Sequence, residues 1–186
     1  MLLRKRNSLL ALCLLLACCQ KVDLTTEPET AVPTGNAEEP AAVLGTGEGT
    51  ATHPYTVADV RSLSLSGSEE VWVIGYLVGT AARSMNNAVF SADADNQSNI
   101  LLSSDSLCSD TTRCIPVELA SEKWKKSLSL PKNVMHFRKC LLVKGIPSRY
   151  LYRKGLRNVS AGLWMDGFDI AAVEPQDWDV ISLSTP

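Results

Sequence analysis

The sequence predicts a mainly-β domain, a small Greek-key barrel with one or two short helices, carried behind a disordered tether. Three observations predict it. Between positions 70 and 165, five or six apolar stretches of strand length are separated by turn-forming residues. A stretch with helical spacing sits just before the last pair. The 186 residues are 45% hydrophobic and 20% charged with a net charge of −2, ordinary globular chemistry that excludes collagen, coiled-coil and fully disordered chains.

In chain order, the first segment is an address. Arg4, Lys5 and Arg6 precede an apolar run at residues 9–17, the layout of a secretory signal peptide. The whole run to Cys19 is far shorter than the roughly 20 residues that span a bilayer. It closes as Leu15-Leu16-Ala17-Cys18, which resembles the lipobox of bacterial lipoproteins. There the cysteine sulfur, the strongest available nucleophile, takes a diacylglycerol, and the peptide is cut just before it. The resemblance implies a signal peptide over 1–17 and lipidation of Cys18, with the membrane as a partner through that lipid. Cys19 in the lipidated position and a plain signal peptide are the alternatives.

Residues 18–53 are expected to be an acidic linker. They hold Pro28, Pro33 and Pro40, no aromatic residue, and six carboxylates against Lys21. Such a stretch buries too little apolar surface to offset its ordering entropy. Gly45, Gly47 and Gly49 match no phosphate-loop spacing and are assigned to the linker's end.

The barrel is expected over 54–175, with a tail at 176–186. Thr56 and Asp59 have capping-box spacing, with Val57, Val60 and Leu63 on one face of a short helix. Residues 70–80 (EVWVIGYLVGT) form a long, mostly buried strand in which Gly75 and Gly79 suit a bulge or sharp coiling. Residues 87–91 (NAVFS) and 99–103 (NILLS) flank a polar turn, and Pro116 puts 114–119 (CIPVEL) at an edge or bend. Ala120, Trp124 and Leu128 lie four apart on a helix that Pro131 ends. Residues 138–146, 149–153 and 156–165 complete the strands as hairpins. This set matches a small closed barrel of which the OB-fold is the leading example.

The blocks GTGEGT (45–50), PYTVADV (54–60), VWVIGYLVG (71–79), NILL (99–102), CIPVEL (114–119), LVKG (142–145) and GLRNV (155–159) resemble, in that order, a domain-of-unknown-function family. That family occurs in secreted and lipidated proteins of Gram-negative anaerobes and is described as OB-fold-like. The resemblance implies the fold and an exported, lipid-anchored protein of the outer membrane, facing either side. It implies no reaction. The last hairpin departs from the family, which carries an aromatic-Gly pair where this chain has Tyr150-Leu151-Tyr152-Arg153.

Catalytic and metal chemistry find little support. His53 and His136 have no zinc-ligand spacing around them, so no metal or cofactor is expected. Asp93, Asp95, Asp105 and Asp110 lie in polar turns, where Asp is favoured by turn geometry. Cys108 and Cys114 are spaced to close a short disulfide loop, but Cys114 and Cys140 sit in apolar strand runs and read most simply as small buried hydrophobes.

The charge layout stands out. Residues 113–157 hold twelve Lys or Arg against Glu118 and Glu122, net +10, while 54–112 and 158–186 are each net −5. OB-folds bind ligands across strands 2 and 3, gripped by the loops joining strands 1–2 and 4–5. The second grip is expected in the turn at 148–155, where Arg149, Arg153, Lys154 and Arg157 accompany Tyr150 and Tyr152 on a shared face. The first is the turn at 81–87 carrying Arg83. Aromatic rings beside cations suit stacking on a sugar or base while an anion is neutralised. The sequence thus points to a non-catalytic binding module for a glycan or other polyanion, with nucleic acid not singled out. A subunit docking to a protein partner in a surface complex and a small hydrolase such as a nuclease are the competing classes.

Overall fold

The computed structural model describes residues 47–167 and Ile170, all within the second of two compact units, Pro40–Pro186. Cys18, most of the expected linker and the 176–186 tail lie outside the described residues.

Among the described residues, seven strands and two α-helices build the domain: β1 (Tyr55–Thr56), α1 (Val57–Ser62), β2 (Val71–Ala81), β3 (Ala88–Val89), β4 (Asn99–Ser103), β5 (Cys114–Glu118), α2 (Glu122–Leu128), β6 (Cys140–Tyr150) and β7 (Arg153–Met165). β2 pairs antiparallel with β4, β4 with β5, β5 parallel with β7, β7 antiparallel with β6, and β6 returns antiparallel to β2. These five strands close a Greek-key barrel, with α2 inserted between its third and fourth strands. The architecture is OB-fold-like. β1 and β3 are accessory, pairing with the start and end of β2.

Two apolar clusters explain why β2 shows no clean alternation. Val73 and Leu77 point inward with Ile100, Leu102, Ile115, Val117, Leu141, Val143 and Leu156, so all five barrel strands feed this core, and α1 and α2 add Val57, Val60 and Leu128. Ile74, Tyr76 and Val78 point the other way into a second buried cluster with Leu101, Cys114, Cys140 and Leu142, covered by Met85 and Phe90 of the β2–β4 connection and by Ile170. With both faces dry, the strand reads as a continuous apolar run. Each fully buried aliphatic side chain contributes about 1.5–3 kcal/mol.

Local signals held where they were strongest. Thr56 caps α1, its hydroxyl accepting from the Asp59 amide while the Asp59 carboxylate accepts from the Thr56 amide at 2.7 Å. The β2–β4 register shifts between Leu77 and Gly79, and a Cβ at Gly79 would collide with the Val89 carbonyl of β3. Gly75 instead leaves room for Val57 of α1.

Four expectations shift. The packed region begins before Pro54: Trp72 donates to the Gly49 carbonyl at 2.8 Å, and Gly49 sits at φ +77° against the Tyr55 ring, so residues 47–53 belong to the domain. The 87–91 strand shrinks to Ala88–Val89. Ala120 precedes α2 and is exposed, because Ser121 caps the helix through the Trp124 amide. The last three strand segments are two, since β6 and β7 run on to a turn of only two residues, Leu151 and Tyr152.

That long hairpin has a joint. Pairing between β6 and β7 shifts between Lys144 and Ile146, opposite Asn158 at φ 53°. Residues Cys140 to Gly145 of β6 also pair with β2, but beyond the shift β6 pairs with β7 alone. A bulge bends the strands here; β7 stays on the barrel as far as Leu156, which pairs with Val117 of β5, and the hairpin tip at 148–154 forms an arm.

Candidate functional site

The arm carries most of the residues singled out in the sequence. Arg149 pairs across it with Lys154, and Tyr150 with Arg153. Leu151 and Tyr152 have φ of 47° and 64°, the left-handed region that two-residue hairpin turns of this kind require. Asn-Gly is the favoured pair there; a side chain bearing Cβ costs about 1–2 kcal/mol. Leu151 recovers part of this by packing on the outer cluster. Tyr152 does not, being 78% exposed. Because Tyr152 occupies a turn position, the strand alternation that would have set it beside Tyr150 does not apply.

The opposing loop is rooted on Ala81. The Ala81 amide donates to Asn99 Oδ1 at 2.9 Å, and its carbonyl accepts from Asn96 and Asn99. Two residues on, Arg83 has φ 64°. Arg83, Arg149, Tyr150, Leu151, Tyr152 and Arg157 line one cleft of about 410 Å³, so the two loops border a common opening. Arg153 and Lys154 line a second hollow, of about 440 Å³, that shares Arg149 and Tyr152 with the first.

The cations are not equivalent. Arg157 is held by Glu118 through two hydrogen bonds, 2.8 Å from Nε and 3.1 Å from a terminal nitrogen, and this carboxylate raises its pKa further. Its guanidinium also lies 5.9 Å from the centre of the Tyr150 ring. Lys154 donates from Nζ to the Leu63 carbonyl at 2.6 Å, fastening the arm to the end of α1. Arg83, Arg149 and Arg153 have no ion pair among the described residues. Of the five arm and loop cations, these three are unpaired, while Arg157 and Lys154 brace the arm.

The expected route across strands 2 and 3 of the barrel, here β4 and β5, is covered. Of their outward side chains, Leu101 and Cys114 are buried in the outer cluster, Asn99 is bonded to Ala81, and Glu118 holds Arg157. Neither strand carries an aromatic residue. The apolar loops that bury this face also remove it as a platform.

The carboxylates picked out in the sequence serve turns. Asp105 accepts from the Leu107 amide and lies 3.5 Å from Arg113. Asp110 accepts from the Thr112 amide and hydroxyl, which hold its carboxyl below the usual range, with Arg113 and Arg61 adding to the effect. Asp93 and Asp95 are exposed. No cluster of three or more His, Cys, Asp or Glu suited to a metal occurs among the described residues. Cys108, Cys114 and Cys140 are buried, and Cys108 and Cys114 are not bridged: their sulfurs lie 3.8 Å apart, and burial pushes the Cys114 thiol well up, with Cys108 adding to it.

Residues 55–165 match the family described as a domain of unknown function, DUF6359. The chain belongs to this family. No curated protein matches it. Among solved structures it is similar to the hypothetical protein ygiW from E. coli, at 12% identity and a TM-score of 0.35, over 59% of this chain and 87% of that one. A likeness that slight carries no argument about function, which rests on the site alone.

Sequence reasoning missed Arg61, which lines the second hollow from the last turn of α1. Its one signal was rarity: with Arg83 it is one of just two bases in residues 54–112.

Proposed function

We propose that this chain is an exported lipoprotein, anchored through Cys18 in the outer membrane, whose barrel is a non-catalytic binding module for a polysaccharide. The anchor rests on the signal-peptide layout and the Leu15-Leu16-Ala17-Cys18 sequence. The binding role rests on one observation above all. The arm keeps an exposed Tyr152 in a strained turn, where it adds little to the core, beside Arg83 and Arg149, which no carboxylate pairs among the described residues. Strain at such a position persists when it is useful outside folding. A tyrosine ring can stack on the apolar face of a sugar, while a guanidinium offers paired donors to hydroxyl or anionic groups.

A glycan array probed with the detergent-solubilised full chain supplies ligands. Replacing both Tyr152 and Arg83 by Ala is expected to weaken a hit about tenfold or more, in line with the loss of one stacked ring and one charged contact. Unchanged affinity with an unchanged melting temperature would remove the cleft as the binding site. Separately, Cys18→Ala is expected to release the protein from the detergent-extracted lipoprotein fraction.

A further inference from the structure

The second hollow is built from three distant pieces of chain: Arg61 at the end of α1, Thr111 and Thr112 in the turn before β5, and Arg153 and Lys154 on the arm, with Arg149 and Tyr152 shared with the first cleft. The pieces are fastened to one another or within themselves. Lys154 ties the arm to α1, and Asp110 caps the turn through Thr112. Four cations line the hollow and no carboxylate does. Asp110 stands close enough to Arg61 for the two charges to interact, but its oxygens are engaged by Thr112 and it makes no ion pair with Arg61. Arg61 and Arg153 are exposed and, like Arg149, without an ion pair among the described residues.

We propose that this hollow is a second anion site and that the polymer held by the arm is an acidic polysaccharide, its carboxylate or sulfate substituents lying between Arg61, Arg149 and Arg153 while a neighbouring ring stacks on Tyr152. The proposal rests on the arm being the glycan site. It goes further in naming the charge of the ligand and in adding Arg61. The ligand lies against both hollows because they share Arg149 and Tyr152. Cations concentrated at one exposed aromatic ring fit a chain of acidic sugars. A nucleic acid would need a run of stacking rings, and the strand face that offers one in other barrels of this type is apolar and covered here.

The test uses the full chain in detergent and four probes: a heparin oligosaccharide, a polygalacturonate oligosaccharide, neutral dextran and single-stranded oligothymidylate. Binding to at least one acidic glycan is expected, weakened by salt and stronger than to dextran or oligothymidylate; the two acidic probes separate sulfate from carboxylate recognition. Arg61→Ala is expected to weaken that binding about fivefold, as for an exposed charge pair near its upper range. Arg61→Ala with Arg153→Ala should weaken it further and flatten the salt dependence. Asp110→Asn, which keeps an oxygen to accept from Thr112, should tighten binding by removing a like charge. The proposal is overturned if neither acidic glycan binds, or if oligothymidylate or dextran binds as well as the better of them. It is also overturned if the Arg61 and Arg153 variants bind normally while Tyr152→Ala and Arg83→Ala do not, a result that leaves the first cleft standing. Indifference of all four variants removes the arm as a site altogether.

Discussion

The two halves of the β6–β7 hairpin are built by opposite rules. In the inner half, Cys140, Leu141, Leu142 and Val143 are all buried, and β6 is hydrogen-bonded on both sides, to β2 and to β7. Packing explains those four residues. In the outer half, β6 has one neighbour, the turn forces Leu151 and Tyr152 into left-handed backbone, and Tyr152, Arg149 and Arg153 face solvent. Packing explains few of those residues. Stability accounts for the inner half and leaves the strained, exposed tip without a packing reason.

The contrast is broken most severely from the inside. Leu141→Ala is expected to destabilise the barrel by about 2–5 kcal/mol, because the methyl groups removed leave a cavity that five strands cannot close over. A urea titration measures it; a loss under 1 kcal/mol, the scale of an exposed site, would mean the inner core is looser than its burial implies. Truncation at the exposed Arg153 should shift the same midpoint by no more than about 0.5 kcal/mol.

A second test reaches the outer cluster through pH. Burial raises the Cys114 thiol above its ordinary value of 9.0. Below that pH both folded and unfolded thiols keep the proton, and the contribution to stability is constant. Above it the unfolded thiol ionises while the folded one does not, so the unfolded chain binds fewer protons and stability falls as pH rises, by at most about 1.4 kcal/mol per pH unit. Urea midpoints in the alkaline range should show this slope, and Cys114→Ala should flatten it. An equal slope in both proteins would place the thiol in contact with water.

A third test loosens the arm itself. Lys154→Met keeps the aliphatic stem and removes the donor to the Leu63 carbonyl, with an expected cost of about 1 kcal/mol. Amide exchange should then quicken at the end of α1 and in the outer hairpin while the inner half is unchanged.

Which parts were legible follows the same division. The barrel strands could be read because burial writes itself into residue type: NILLS and CIPVE are apolar wherever a side chain has nowhere else to go. Thr56 and Asp59 could be read because a capping box is local. The turn of the arm could be placed within 148–155 but not to its two residues, because Leu151-Tyr152 carries none of the Asn or Gly that announces a two-residue turn. Residues 47–53 looked like linker because glycines that make room for Pro54 and Tyr55 have the composition of glycines that only bend. At the site, cations and rings near one another in sequence were found, but their partners were not. Glu118 lies 39 positions from Arg157 and Leu63 lies 91 from Lys154, so only the fold separates cations already engaged from those left available.

The smallest expected effect is the most telling, because its two readouts move in opposite directions. Replacing Leu151 with Asn and Tyr152 with Gly installs the pair that the turn's backbone favours. Relief of left-handed strain is worth about 1–2 kcal/mol per residue. Against it stand the extra freedom that Gly gives the unfolded chain, about 0.5–1 kcal/mol, and the lost packing of Leu151 on the outer cluster. The balance is a stabilisation of about 0.5 kcal/mol, read as a higher urea midpoint with an unchanged slope. If Tyr152 serves only the fold, its removal should lower stability and leave glycan affinity alone. If it serves a ligand, the variant should be the more stable protein and the weaker binder.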